Sequence, residues 1–177
     1  LNMKASELRA QGCSIDETAG WIEENRNRLR QMGPMNDLKF LARTGRITNF
    51  KAFFGSLVGV NALGDFAPTG ISQVLANVKG TGKALQATIE YAKRTIEDPE
   101  EQVIFIGHTY RKEEAETLRQ MAEKELKPKE IICMRVDMSC GANVGPGMVA
   151  IYYFGKDGSE GLTEETAIMN EIIAGLK

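Results

Sequence analysis

The chain has 177 residues, enough for one domain or one and a half, with 42% hydrophobic and 26% charged residues. A net charge of −2 lacks the basic excess of a general nucleic-acid binder, and no apolar run approaches the ~20 residues of a membrane-spanning helix. Cys13, Cys133 and Cys140 stand at no metal or disulfide spacing and His108 is the sole histidine, which argues against a zinc site and for a reducing compartment.

Residues 2–11 have helical spacing that Gly12 ends. Ser14 and Glu17 form a capping box, Ser at the cap and Glu three residues on. The helix they open is predicted to run to about residue 32, with Ile15, Ala19, Ile22 and Leu29 on its apolar stripe. Gly33-Pro34 then breaks it and marks an internal boundary, since proline has no N–H to donate. The opening residues themselves read as the interior of a helix, as in a fragment that lacks a preceding lobe. Two short helices are predicted at 36–45 and 49–58, followed by a loop or short strand at 61–70. A strand is expected at 72–78, a helix to about 97, a strand at 102–107 and a helix to about 126. Two apolar, β-branched stretches, 131–138 and 148–154, read as strands joined by Gly141-Ala-Asn-Val-Gly-Pro-Gly147. A terminal helix covers 163–176. The alternation is that of an α/β fold, a layered sheet with helices, ending in a strand, a Gly-rich loop and a strand.

Several stretches carry possible chemistry. The Gly-rich turn has more glycine than a hairpin needs, so it is either a wide connection or a loop offering N–H groups and the Asn143 amide to a ligand. Phe50, Phe53, Phe54 and Leu57 share one helical face, as a core stripe or as the lining of an apolar channel. Lys79-Gly-Thr-Gly-Lys83 is not a P-loop, because Ala84 stands where Ser or Thr is required; it remains a helix start with two lysines, either solvated or an anion site. His108 ends a strand, before Thr109 as a possible helix cap, and either lines a site or is structural. Arg46 follows a helix stop, where its fork could meet a carboxylate or phosphate. No pair of carboxylates suits acid–base catalysis and no metal cluster is apparent.

Three of these stretches together resemble the DegV family. Leu38-Lys-Phe-Leu-Ala-Arg-Thr-Gly-Arg-Ile-Thr-Asn49 is similar to its aromatic and Gly-Arg-Ile signature. Val78-Lys-Gly-Thr-Gly-Lys-Ala84 is similar to its basic Gly–x–x–Lys-Ala stretch, and Asn143-Val-Gly-Pro-Gly147 to its His–x–Gly-Pro-Gly loop, with Asn143 in place of the histidine. An amide can donate a hydrogen bond to a carboxylate but carries no proton charge near neutral pH. The resemblance implies the second lobe of a two-lobe fold: 1–35 the helical remainder of an N-terminal lobe, 36–155 the C-terminal lobe, 156–177 a terminal helix. It implies a bacterial cytoplasmic protein that is not an enzyme and needs no cofactor or metal. Such a protein binds a long-chain fatty acid and presents its carboxylate to a separate ATP-binding kinase subunit, without nucleic-acid or integral-membrane partners. Asn143, Gly145 and Gly147 with Phe50, Phe53, Phe54 and Leu57 would then hold the ligand, and Arg46, Lys79 and Lys83 would contact the kinase or the phosphoryl group. The alternative is an enzyme acting on a small phosphorylated substrate at the Gly80–Lys83 helix start.

Overall fold

The computed structural model describes residues 1–45 and 59–176. Helix α1 (Asn2–Ala10) packs on α2 (Ile15–Asn25), and the capping box forms as expected: the Glu17 N–H donates to Ser14 Oγ at 3.2 Å and the Ser14 N–H to Glu17 Oε2 at 2.7 Å. The α2 stripe differs from the expected one, for Ile15 is 84% exposed. Trp21 meets Phe154 edge-on, with ring centroids 5.9 Å apart.

Helix α2 ends at Asn25, not near residue 32, and Leu29–Met35 is a strand, β1. Two arginines that would suit a solvated helix face, Arg28 and Arg30, have tertiary partners instead. Arg28 donates to Asn25 Oδ1, the Gly155 carbonyl and Glu97 at 2.6, 3.1 and 3.0 Å, and Arg30 is buried. Pro34 is tolerated because β1 changes neighbour there. It pairs with β6 (Val149–Phe154) from Leu29 to Met32 and with β2 (Val60–Phe66) from Gly33 to Met35, so the missing N–H falls where the β6 ladder has stopped.

The remaining elements are α3 (Leu38–Arg43), β3 (Ser72–Lys79), α4 (Thr81–Thr95), β4 (Val103–His108), α5 (Lys112–Glu125), β5 (Glu130–Arg135), α6 (Met138–Val144) and α7 (Thr163–Gly175). The stretch 61–70, expected to be a loop or short strand, supplies most of β2. Among the described residues six strands order as β3-β2-β1-β6-β4-β5, antiparallel except for β4 and β5. The expected α/β layering is therefore present. The strands flanking the Gly-rich stretch are not neighbours: both lie beside β4, and the chain crosses between them through α6.

One face of the sheet carries the core. Met32, Ile104, Ile106, Val149, Ile151 and Tyr153 alternate inward along their strands, as period-two geometry requires. They meet Leu85, Ile89 and Ala92 of α4, Ala115, Leu118 and Ala122 of α5, and Met169 and Ile172 of α7.

Within that layer lies a charged knot. The Arg30 guanidinium donates to Asp65 Oδ2 at 3.4 Å and to Glu165 Oε1, and the side chains of all three are almost fully buried. Tyr91 donates to Asp65 Oδ2 at 3.0 Å, while the N–H groups of Gln31 and Phe66 converge on Asp65 Oδ1 at 3.0 and 2.8 Å. Glu165 also receives the Ser159 N–H at 3.1 Å and the Ser159 hydroxyl. Burial pushes the Asp65 carboxyl above its usual range despite these bonds. Burial also pushes Glu165 up, but the bonds from Ser159 and Arg30 outweigh it and hold that carboxyl below its usual value.

Replacing Arg30 with Met should leave two buried carboxylates without their cation and cost about 3–5 kcal/mol in urea unfolding. The Glu165 contribution is present above the unfolded glutamate value and drains as pH falls through the lower folded one. Denaturant melts across that acid range should therefore show a weaker loss of stability in Glu165→Gln than in the parent.

Candidate ligand-binding site

Among the described residues the opposite face of the sheet carries only a small buried cluster, Leu41 and Ala62. Leu29, Gln31, Gly33 and Met35 alternate along β1 toward this side, joined by Met148, Ala150 and Tyr152 near and on β6 and by Phe105 and Gly107 on β4. Gly33 pairs with Gly64 and Gly107 pairs with Ala150, so a row of minimal side chains crosses four strands. The lack of side chains is enforced by sterics. A Cβ at Gly33 would lie 2.0 Å from the Val149 carbonyl oxygen, and one at Gly64 would lie 2.9 Å from the Gln73 carbonyl oxygen. The row is therefore a trough running across the strands.

Over the trough is a cavity of about 730 Å³, within the range that holds small-molecule ligands. Its other walls are Leu1–Met3 at the start of the chain, Leu41 of α3, and Asp137, Cys140, Asn143 and Val144 in and before α6. Methionines Met35, Met134 and Met148 add adaptable apolar surface. Among the described residues no group of His, Cys, Asp and Glu could hold a metal ion, and no helix is long and apolar enough to cross a membrane.

The Gly-rich stretch divides into two pieces. Its first half is the end of α6, whose start is capped by Asp137: the carboxylate accepts from the Cys140 N–H at 2.9 Å and the Ser139 hydroxyl at 2.7 Å. Those bonds, the Cys140 N–H first, hold the Asp137 carboxyl below its usual value. Its second half is a turn in which Gly145 and Gly147 have φ of 75° and 87°. Their N–H groups serve the fold, Gly145 donating to the Gly141 carbonyl at 2.9 Å and Gly147 to the Thr109 carbonyl at 3.1 Å. Thr109 is not the cap of α5, a position taken by Arg111; instead its hydroxyl accepts the Met148 N–H at 2.9 Å. Arg111, buried, donates to the Gly147 carbonyl and Thr81 Oγ1, each at 3.3 Å, and to Glu114 at 3.0 Å. The turn is thus locked to the starts of α4 and α5.

Of the residues singled out in the sequence, Asn143 lines the cavity, its amide nitrogen donating to the Ser139 carbonyl at 2.9 Å. Gly145 and Gly147 support that wall without lining the cavity. Lys79 and Lys83 are exposed at the end of β3 and in the first turn of α4, outside the lining. His108 ends β4 with Nδ1 buried and unpartnered among the described residues. Arg46, Phe50, Phe53, Phe54 and Leu57 lie outside the described residues. The strand antiparallelism places the ends of β3 and β4 and the start of β6 at one end of the sheet. Sequence reasoning missed the floor, namely Gln31, Gly33, Gly64, Gly107, Ala150 and Tyr152. The available signal was the strand periodicity of 102–107 and 148–154, which puts Phe105 with Gly107, and Ala150 with Tyr152, on one face; nothing local revealed β1.

The family model described as an uncharacterised protein of the DegV family matches residues 1–156. The chain belongs to the DegV family. A DegV domain-containing protein of Clostridium perfringens is 32% identical over 151 residues, 85% of this chain and 52% of that protein. The fatty acid binding DegV family protein of Streptococcus agalactiae matches with a TM-score of 0.74 at 24% identity, over 86% of this chain and 54% of that one. The Streptococcus pneumoniae fatty acid kinase B3 protein, solved loaded with linoleic acid, matches with a TM-score of 0.75 at 17% identity, over 87% and 54% of the two chains. The chain thus spans about half the length of these DegV relatives, and the solved ones establish its fold.

A Cβ at Gly145 would lie 2.5 Å from the Phe40 ring, on a backbone already at positive φ. Gly145→Ala should therefore cost about 1–3 kcal/mol and displace the α6 wall, read as a lower thermal midpoint with faster amide exchange in 138–148.

Proposed function

We propose that this DegV protein binds a long-chain fatty acid in the trough cavity and presents its carboxylate to a separate ATP-binding kinase subunit. The observation that carries the reading is the transverse trough itself. Its lining reaches from Ser72 on β3 to Met134 on β5, five strand spacings, or about 24 Å at ~4.8 Å each. Apolar walls of that length suit an acyl chain, worth ~0.8 kcal/mol for each methylene buried. The solved relatives described as fatty acid binding, or as loaded with linoleic acid, support the same ligand class.

In this reading Asn143 is the polar residue that orients the head group, and Gly145 and Gly147 act through the shape of the turn. Phe50, Phe53, Phe54 and Leu57 complete the apolar lining. Arg46, Lys79 and Lys83 face the partner, which supplies the ATP and performs the phosphoryl transfer; the protein itself does no chemistry, requires no cofactor and works in the cytosol. The exposed lysines outside the cavity give no support to a phosphorylated-substrate enzyme.

Mass spectrometry of lipid extracted from the purified protein should find a long-chain fatty acid, and added fatty acid should bind saturably; finding neither would overturn the proposal. Ala150→Phe fills trough volume equal to about three methylenes, so binding should weaken by about 2–3 kcal/mol, roughly fiftyfold, with the circular dichroism spectrum unchanged. With the kinase subunit and ATP, hydroxylamine trapping should detect an acyl phosphate that Lys79→Glu diminishes.

A further inference from the structure

We infer that Tyr152 selects among acyl chains, favouring one with a permanent bend over a straight one of the same length. This names the preference of the cavity already read as an acyl site and rests on that reading.

The floor of the trough is not level. At each end of the glycine row a neighbouring side chain takes the space that the glycine leaves. A Cβ at Gly64 would lie 2.3 Å from the terminal methyl of Met35. A Cβ at Gly107 would lie 3.1 Å from the Tyr152 ring and 3.4 Å from its hydroxyl oxygen. Between these two, the nearest atoms to a Gly33 Cβ belong to the β6 backbone at Val149 and Ala150. The low part of the floor is therefore Gly33 and Ala150, on neighbouring strands ~4.8 Å apart, with a step up on either side.

The two steps differ in stiffness. Met35 covers Gly64 with the far end of an unbranched side chain, which can swing aside for a ligand. Tyr152 is a flat ring on two torsions, and it is hemmed in. Val136 Cγ2 would lie 3.3 Å from the same Gly107 Cβ, and Gln31 and Phe105 are the paired neighbours of Tyr152 on the strands to either side. Burial, and after it the Cys140 thiol of α6, pushes the Tyr152 phenol up to about 12, in keeping with a ring enclosed between sheet and helix.

The cavity continues past the ring. Met134, paired with Gly107 from the edge strand β5, lines it on the far side of that glycine. A chain that uses the whole lining runs low over Gly33 and Ala150, meets the ring at Gly107 and has to change direction to reach Met134. A cis double bond has that turn built in, so nothing is spent on ordering it. A saturated chain, or one with a trans double bond, is straight in its extended form. It rides over the step and loses the contact of about two methylenes, worth roughly tenfold in affinity.

Titration calorimetry of the purified protein with octadecanoic acid and with the cis and trans octadecenoic acids, the double bond moved along the chain, tests this. One cis isomer should bind roughly tenfold tighter than its trans counterpart, and the trans and saturated acids should bind alike. Tyr152→Leu, which lowers the step and keeps an apolar side chain, should bring the ratio close to one, chiefly by tightening the straight acids. Tyr152→Phe, which keeps the ring, and Met35→Leu, at the movable step, should leave the ratio in place. Equal binding within every cis and trans pair by the unaltered protein, or a preference that Tyr152→Leu leaves intact, would overturn this inference and leave the acyl reading standing. Binding of none of the acids would overturn both.

Discussion

The Arg30–Asp65–Glu165 knot is the constraint on which both faces of the sheet depend. It joins β1, β2 and the segment that opens α7, three pieces far apart in sequence, at a point buried from solvent. Asp65 is central. One carboxylate oxygen faces Arg30 and Tyr91 in the helix layer, and the other receives the N–H groups of Gln31 and Phe66. A buried ion cluster is weak evidence for net stability, since desolvation offsets much of its attraction. Its value is registry: a one-residue slip of β1 would turn Arg30 out of the helix layer and unpair two carboxylates at once.

Holding that register determines the floor of the cavity. With Arg30 and Met32 toward the helices, Gln31, Gly33 and Met35 must face the other way. The glycines there are imposed by contact rather than by backbone freedom, since a side chain at Gly33 would collide with β6 and one at Gly64 with β3. The same residues that let three strands pack tightly thus leave a trough. In the proposed reading, function and fold make one demand at those positions.

The wall opposite the trough depends on a different set of ties. Arg111 and Thr109 anchor the turn after α6 to the starts of two helices, using backbone groups that an unattached Gly-rich loop would have offered to a ligand. What the loop contributes to the cavity is α6 itself, capped by Asp137 and carrying Asn143 inward.

Much was readable from local sequence. The Ser14–Glu17 cap, α4, α5, β4 and the α/β alternation follow from turn chemistry and from apolar spacing within each segment. So do the three motifs that place the chain in its family, because those are contiguous strings. The end of α2 was not readable, since arginines on a strand and on a helix surface look alike until their partners are known. Nor was the strand order, which puts β4 between β5 and β6, nor the trough, which is assembled from single glycines on three strands and Ala150 on a fourth. Sequence by itself determined the elements whose stabilising contacts lie within a few residues. Tertiary structure decided everything that rests on non-local partners: the knot, the role of β1, and which face of the sheet carries the cavity.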